Sequence, residues 1–248
     1  MSYPANPIDV IKKLHSEKKW DDMISFCKKM LQDDPKDLVA LQNMATALLH
    51  EGKFEDALVL CQTVLDINEF DEYALKNKIF ALEKLRKYDD VIICAERILS
   101  KNKDDEWAHD SKGLALNELG RHKEALDCYD RSLAINQNDT TALMNKAVTL
   151  SFLQKFEDAI SLYDRAQQLE GPIREAAAAK SEAYKQLGKE DEAFLAAQGL
   201  LIHDIQKYIA EAKTKKMRVF DLFCLNEYRE LEAREKKHAE KQDAKLRE

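Results

Sequence analysis

The sequence predicts an all-α protein built as a stack of six helical hairpins, and three observations predict it. The first is a column of residues at an unbroken spacing of 34: Met23, Ala57, Val91, Ala125, Ala159 and Ala193. The second is that other columns keep the same step. Leu14, Leu48, Leu82, Leu116, Leu150 and Tyr184 form one, Ile24, Leu58, Ile92, Leu126, Ile160 and Phe194 another, and Ala40, Ala74, Ala108, Ala142 and Ala176 a third. The third observation is that apolar residues inside each repeat recur at helical spacing, break off, and resume. Small columns beside large apolar ones are what close helix packing requires, because an alanine lets a backbone approach and a leucine fills the space beside it.

Taken in order, the elements follow from local chemistry. Asn6 before Pro7 reads as an N-cap with proline at the first helical position, which starts the first hairpin. In the second repeat, Leu41, Met44, Ala45 and Leu48 mark one helix, HEGKF interrupts it, and Ala57, Leu58, Cys61, Val64 and Leu65 mark the next. Gly52, Gly120 and Gly188 stand at the turn in alternate repeats, and Lys18, Arg86 and Gln154 stand there in the others, so the turn tolerates non-glycine residues. Polar links such as DDPKD, NEFDE, NKDDE and NQNDT separate the repeats. Their acids fall at the start of the next helix, where they complement the macrodipole, and they lack the glycine pattern of a calcium loop. Gly171 and Pro172 end the fifth repeat and open the sixth.

Composition narrows the function classes. Of 248 residues, 34% are charged and only 6 are glycine and 4 proline, which suits a charge-coated helical protein. No apolar run approaches the roughly 20 residues of a membrane-spanning helix. The start, MSYPANPIDV, lacks the order of a secretory signal, so a cytoplasmic protein with no membrane partner is expected. The formal charge of −7 argues against nucleic acid. From Lys213 to Glu248 there are 11 basic and 8 acidic residues, a net of +3 that leaves −10 for the rest. Cys27 and Cys61 occupy equivalent places, and Cys94 and Cys128 the place one residue earlier. With no CxxC or nearby Cys/His cluster they read as buried packing residues, as does Cys224.

No phosphate loop, zinc-protease motif or G-x-S-x-G elbow is present, and the six histidines pair with no Cys or carboxylate at ligand or triad spacing. A non-catalytic protein with no cofactor and no metal is expected.

With these residues in place, the chain resembles a tetratricopeptide repeat (TPR) protein. The repeats span 4–37, 38–71, 72–105, 106–139, 140–173 and 174–207. The fourth shows the family's pattern at Gly113, Leu116, Gly120, Ala125 and Tyr129, and the first ends on its Pro35. The family's tryptophan column is Pro7, Leu41, Leu75, His109, Leu143 and Ala177 here. The resemblance implies a right-handed superhelical solenoid whose first helices line a concave groove for an extended peptide or partner helix.

Carrying the register across puts Ala5, Val39, Tyr73, Trp107, Thr141 and Glu175 in one groove column, and Asp9, Asn43, Asn77, Ser111, Asn145 and Ala179 in another. Lys12, Thr46, Phe80, Leu114, Val148 and Glu182 form a third. Asn43, Asn77 and Asn145 are candidate backbone holders, since a carboxamide both accepts from a peptide N–H and donates to its C=O; the alternative is solvated polar residues on a helix. Tyr73, Phe80, Trp107, Leu114, Met144, Val148 and Phe152 are candidate anchors, because desolvated aromatic and apolar side chains dominate binding energy; the alternative is packing between hairpins. The two-carboxylate clamp of related co-chaperones is not matched, since only Asn43 fits its first triplet. The rival class, a nucleic-acid-binding helical repeat, needs basic groove columns, and these are mixed in charge at Lys76, Asp110, Glu118 and Lys185.

After the sixth repeat the period fades. Val219, Phe220, Phe223, Cys224, Tyr228 and Leu231 predict a capping helix over 208–231 that covers the last hairpin. The charged stretch 232–248 reads as a solvated helix or frayed tail. A third reading follows from its charge: the basic tail reaches the acidic body of a neighbouring copy, making a homo-oligomer through the C-terminal helix.

Overall fold

The computed structural model describes residues 6–245. Its described residues form fourteen helices and no strand, in two bodies, 1–137 and 138–248. The first body holds α1 (Pro7–Ser16), α2 (Trp20–Asp33), α3 (Leu38–His50), α4 (Phe54–Ile67), α5 (Glu72–Lys84), α6 (Tyr88–Lys101), α7 (Glu106–Glu118) and α8 (His122–Ile135). The second holds α9 (Thr140–Phe152), α10 (Phe156–Glu170), α11 (Arg174–Gln186), α12 (Glu190–Ala197), α13 (Ile202–Lys215) and α14 (Val219–Lys245). None of these is long and apolar enough to cross a membrane.

The first five hairpins are made by the same two devices, and the sixth by the second alone, since Ile173 at the N-cap of α11 makes no side-chain capping bond. Asp37, Asp71, Asp105 and Asp139 cap α3, α5, α7 and α9, each carboxylate accepting from the N–H of the alanine three residues on, at 2.8–3.3 Å. Asn6 caps α1 through the N–H of Ile8. Every first helix then ends on a left-handed residue: Lys18, Gly52, Arg86, Gly120, Gln154 or Gly188, with φ between 55° and 75°. The N–H of the residue after it returns to the carbonyl of Leu14, Leu48, Leu82, Leu116, Leu150 or Tyr184, closing the helix end and starting the second helix antiparallel.

The column with which the sequence begins is buried throughout: Met23, Ala57, Val91, Ala125 and Ala159 are fully covered and Ala193 nearly so. Cys27, Cys61, Cys94 and Cys128 are buried free thiols within the core. Burial pushes the Cys27 and Cys61 thiols up to about 12, which suppresses the reactive thiolate.

Regularity ends in the sixth hairpin. Its second helix, α12, has 8 residues where α10 has 15, and Gly199 turns the chain at φ 83°. A buried polar knot holds that turn. The Lys180 ammonium, fully covered, donates to the Asp164 carboxylate at 2.9 Å and to the Leu200 carbonyl at 2.7 Å, and the Ile202 N–H donates to the same Asp164 oxygen. Residues 202–207, placed by the period in the sixth repeat, instead begin a new helix, whose first N–H, that of Ile202, is tied to Asp164.

The stretch 208–231 spans two helices rather than one, broken at the left-handed Lys216. Cys224 is exposed, and this corrects the expectation that it is core. A helix buries one face. Here Val219 and Leu222 are buried, Phe223 meets Phe194 edge-on and Tyr208 at a tilt, and Phe220, though exposed, also packs on Phe194 at 5.3 Å between ring centres, while Cys224, Tyr228 and Leu231 are exposed. The expected covering set thus divides, with Leu222 the buried anchor that the pattern missed. The backbone of α14 stays helical to Lys245; 246–248 lie outside the described residues.

Candidate peptide-binding surface

Three first helices of the first body present one apolar strip. Val39 on α3, Tyr73 on α5 and Trp107 on α7 stand 34 residues apart and are 37%, 46% and 38% exposed. Ala5, of the same column, lies outside the described residues. Phe80, beside the strip on α5, is exposed as well, with the Lys84 ammonium 5.1 Å from its ring centre. Leu114 on α7 is half-buried.

The rings are held rather than loose. The Thr46 hydroxyl donates to the Gln42 carbonyl at 3.0 Å, which leaves its oxygen to accept from the Tyr73 hydroxyl at 2.7 Å and the Asn77 amide at 3.1 Å. The Lys76 ammonium stands 5.3 Å from the Trp107 ring centre, within cation–π range. That ammonium is itself fixed by Glu72 at 2.6 Å and Asp105 at 3.5 Å. Partial burial alone would lower its pKa, but Glu72 and Asp105 outweigh that and hold it above the ordinary lysine range.

Asp105 and Asp71 do two things at once. Each caps its own helix and each also takes a side chain from the preceding first helix: Gln42 donates to both Asp71 oxygens at 2.9 and 3.0 Å, and the Lys76 ammonium pairs with one Asp105 oxygen at 3.5 Å. The spacing of 29 residues repeats in both links. Sequence reasoning read these acids as helix-start chemistry and passed over the second contact. Thr46, a hub for two candidate site residues, was also missed, since a hydroxyl in a groove column carries no signal of its own.

The asparagines are already partly engaged. Asn43 donates to the Val39 carbonyl of its own helix at 2.8 Å, and Asn77 donates to Thr46. Each keeps a carboxamide oxygen and a second N–H. Asn145 and Met144, half-buried, and Phe152, 63% exposed, belong to the second body, so the candidate residues divide between two bodies. Among the described residues no group of three or more His, Cys, Asp and Glu side chains is arranged to hold a metal ion.

Comparison with known proteins bears on the fold. A family model described as the N-terminal TPR repeats region of Psidin matches residues 92–184, and a tetratricopeptide repeat model matches 14–79. No curated protein sequence matches the chain. Among solved structures, PilW, titled a type IV pilus biogenesis factor, is 17% identical with a TM-score of 0.71, covering 77% of this chain and 91% of its own. A tetratricopeptide repeat protein from Parabacteroides merdae is 16% identical with a TM-score of 0.68, covering 77% and 75%. YrrB, titled a TPR protein with an unusual peptide-binding site, is 19% identical with a TM-score of 0.57, covering 77% and 98%. The 34-residue period, the capped hairpins and both repeat models agree: the chain is a tetratricopeptide repeat protein.

Proposed function

We propose that the protein is a non-catalytic interaction scaffold that binds an extended peptide or partner helix on the first helices of its first body. The observation that carries this reading is the half-exposed strip Val39, Tyr73 and Trp107, whose two aromatic rings are held by Thr46 and Lys76. Rings fixed before binding lose little side-chain freedom when a ligand covers them, so more of the buried area appears as affinity. Asn43 and Asn77, each with an oxygen and an N–H to spare, flank the strip and can satisfy a ligand's backbone. The match to YrrB, whose title names a peptide-binding site, is consistent with this use of the fold. Lys76 is neutralised by two carboxylates, which speaks against a phosphate backbone as the ligand.

The test is selection of peptides from a display library on the immobilised protein, with fluorescence anisotropy of the labelled selected peptides as the solution readout. Tyr73→Ala and Trp107→Ala together are expected to weaken the selected peptides by about 2 kcal/mol or more, roughly thirtyfold. Peptides held equally well by the double variant would remove this surface from the reading.

A further inference from the structure

We propose that the first body carries a second docking surface, on its second helices, for a partner segment that inserts an apolar side chain and sets a carboxylate beside it. The site is a groove of about 440 Å³ between α2 and α4. Met44 and Leu48 of α3 form its floor, and Ile24, Val59 and Leu60 its apolar walls. Val59 is 66% exposed, and Ile93, one period on in α6, is 56% exposed. They are the two most exposed large apolar side chains described in this body, and they extend the apolar surface from the groove to the next hairpin. The strip of Val39, Tyr73 and Trp107 stands on first helices, so this is a different surface with different residues.

The groove is open because a bridge found in later hairpins is missing from it. Lys78 donates to Gln62 at 2.8 Å, Lys112 to Glu96 at 2.7 Å and, in the second body, Lys180 to Asp164 at 2.9 Å. Each bridge runs from a first helix to the second helix before it, and every pair is separated by 16 residues. At the corresponding places here stand Met44 and Lys28, one period before Lys78 and Gln62. A thioether is at most a weak acceptor, so no bridge crosses the floor, and among the described residues Lys28 makes no ion pair. The other charges of the groove answer one another. Lys53 pairs with Glu51 at 2.6 Å, Asp21 shares a hydrogen bond with Glu51, and Asp21 and Asp56 both act on Lys53. These groups sit where α2 and α4 begin, whereas Lys28 sits in the second half of α2, so that end of the groove keeps an unanswered positive charge. An apolar floor with one placed cation fits an apolar side chain with a carboxylate near it. A second copy is disfavoured as the occupant, because two chains of formal charge −7 repel one another.

The experiment uses full-length protein carrying Tyr73→Ala and Trp107→Ala, so that its outcome is independent of the first surface. A random-peptide display library is panned on this protein, and the selected peptides are labelled and measured by fluorescence anisotropy. They are expected to share an apolar residue with Asp or Glu within a few positions of it. Adding Val59→Asp, at an exposed position, is expected to weaken them about tenfold or more. Lys28→Gln is expected to weaken them about two- to fivefold and to leave unchanged the same peptides with their acid replaced by its amide. Met44→Lys together with Lys28→Glu sets the Lys112–Glu96 pair into this groove and is expected to abolish binding, with the thermal midpoint confirming that the fold is kept. A library that yields no binder, or binders held equally well after Val59→Asp, overturns the proposal. So does an acid whose replacement costs nothing, or a mass in light scattering that rises with concentration and stays monomeric after Val59→Asp, which would give the groove to a second copy.

Discussion

At Gly113 a side chain of even one carbon would stand 2.7 Å from the ring of Tyr129, and that ring is fully buried. The neighbouring helix sits where it does because this residue has no Cβ. Helix propensity alone favours Gly113→Ala by about 1 kcal/mol. Overpacking costs about 1–3 kcal/mol, so the net effect is expected to be a loss of stability, read as a lower urea midpoint. An unchanged or higher midpoint would show that Tyr129 can move. Gly120 presents the opposite case: nothing lies within 4 Å of its missing Cβ, and only φ of 75° opposes a side chain. The sequence shows both glycines alike. It shows at Lys18, Arg86 and Gln154 that the turn survives without glycine, while the structure shows that all six positions are left-handed whatever residue stands there.

Among the helices, α5 carries an internal inconsistency at Glu83. This half-buried carboxyl has its pKa pushed up to about 7 by burial, against the opposing charge of Lys84. The folded-state value lies above the ordinary one of 4.5, so the group favours folding most at low pH and loses that contribution as pH rises through about 7. Glu83→Gln is therefore expected to stabilise the protein above pH 7 by about 1 kcal/mol, discounted for partial exposure, and to leave stability near pH 4.5 almost unchanged. Thermal melts at the two pH values check this; an equal shift at both would assign the effect to packing. Element boundaries show a similar split between local and distant causes. The caps at Asp37, Asp71, Asp105 and Asp139 were legible as acids before α3, α5, α7 and α9, because capping is a contact within one turn. The early end of α12 was not, because it is set by Asp164 and Lys180, 38 and 22 residues before Ile202.

At the scale of the whole molecule, the hairpins within each body rest on one another, so stability is expected to be local along the chain. A fragment spanning 1–137 holds four complete hairpins with their own core. It is expected to keep a cooperative melt and the helical circular dichroism that its length requires; a fragment that shows neither would mean the first body depends on the second. What the sequence by itself determined was the repeat, its register, the buried columns, the caps and turns, and the faces of the first helices that carry Val39, Tyr73 and Trp107. All of these are contacts within one hairpin or between identical positions of adjacent ones, and a period records such contacts directly. Only the tertiary structure decided that Thr46 and Lys76 hold those rings, that the sixth hairpin is cut short around Lys180, and that Cys224 is exposed on α14 and not in the core. Each depends on a pairing that occurs once or on which side of a helix meets a neighbour, and a repeating pattern carries no information about either.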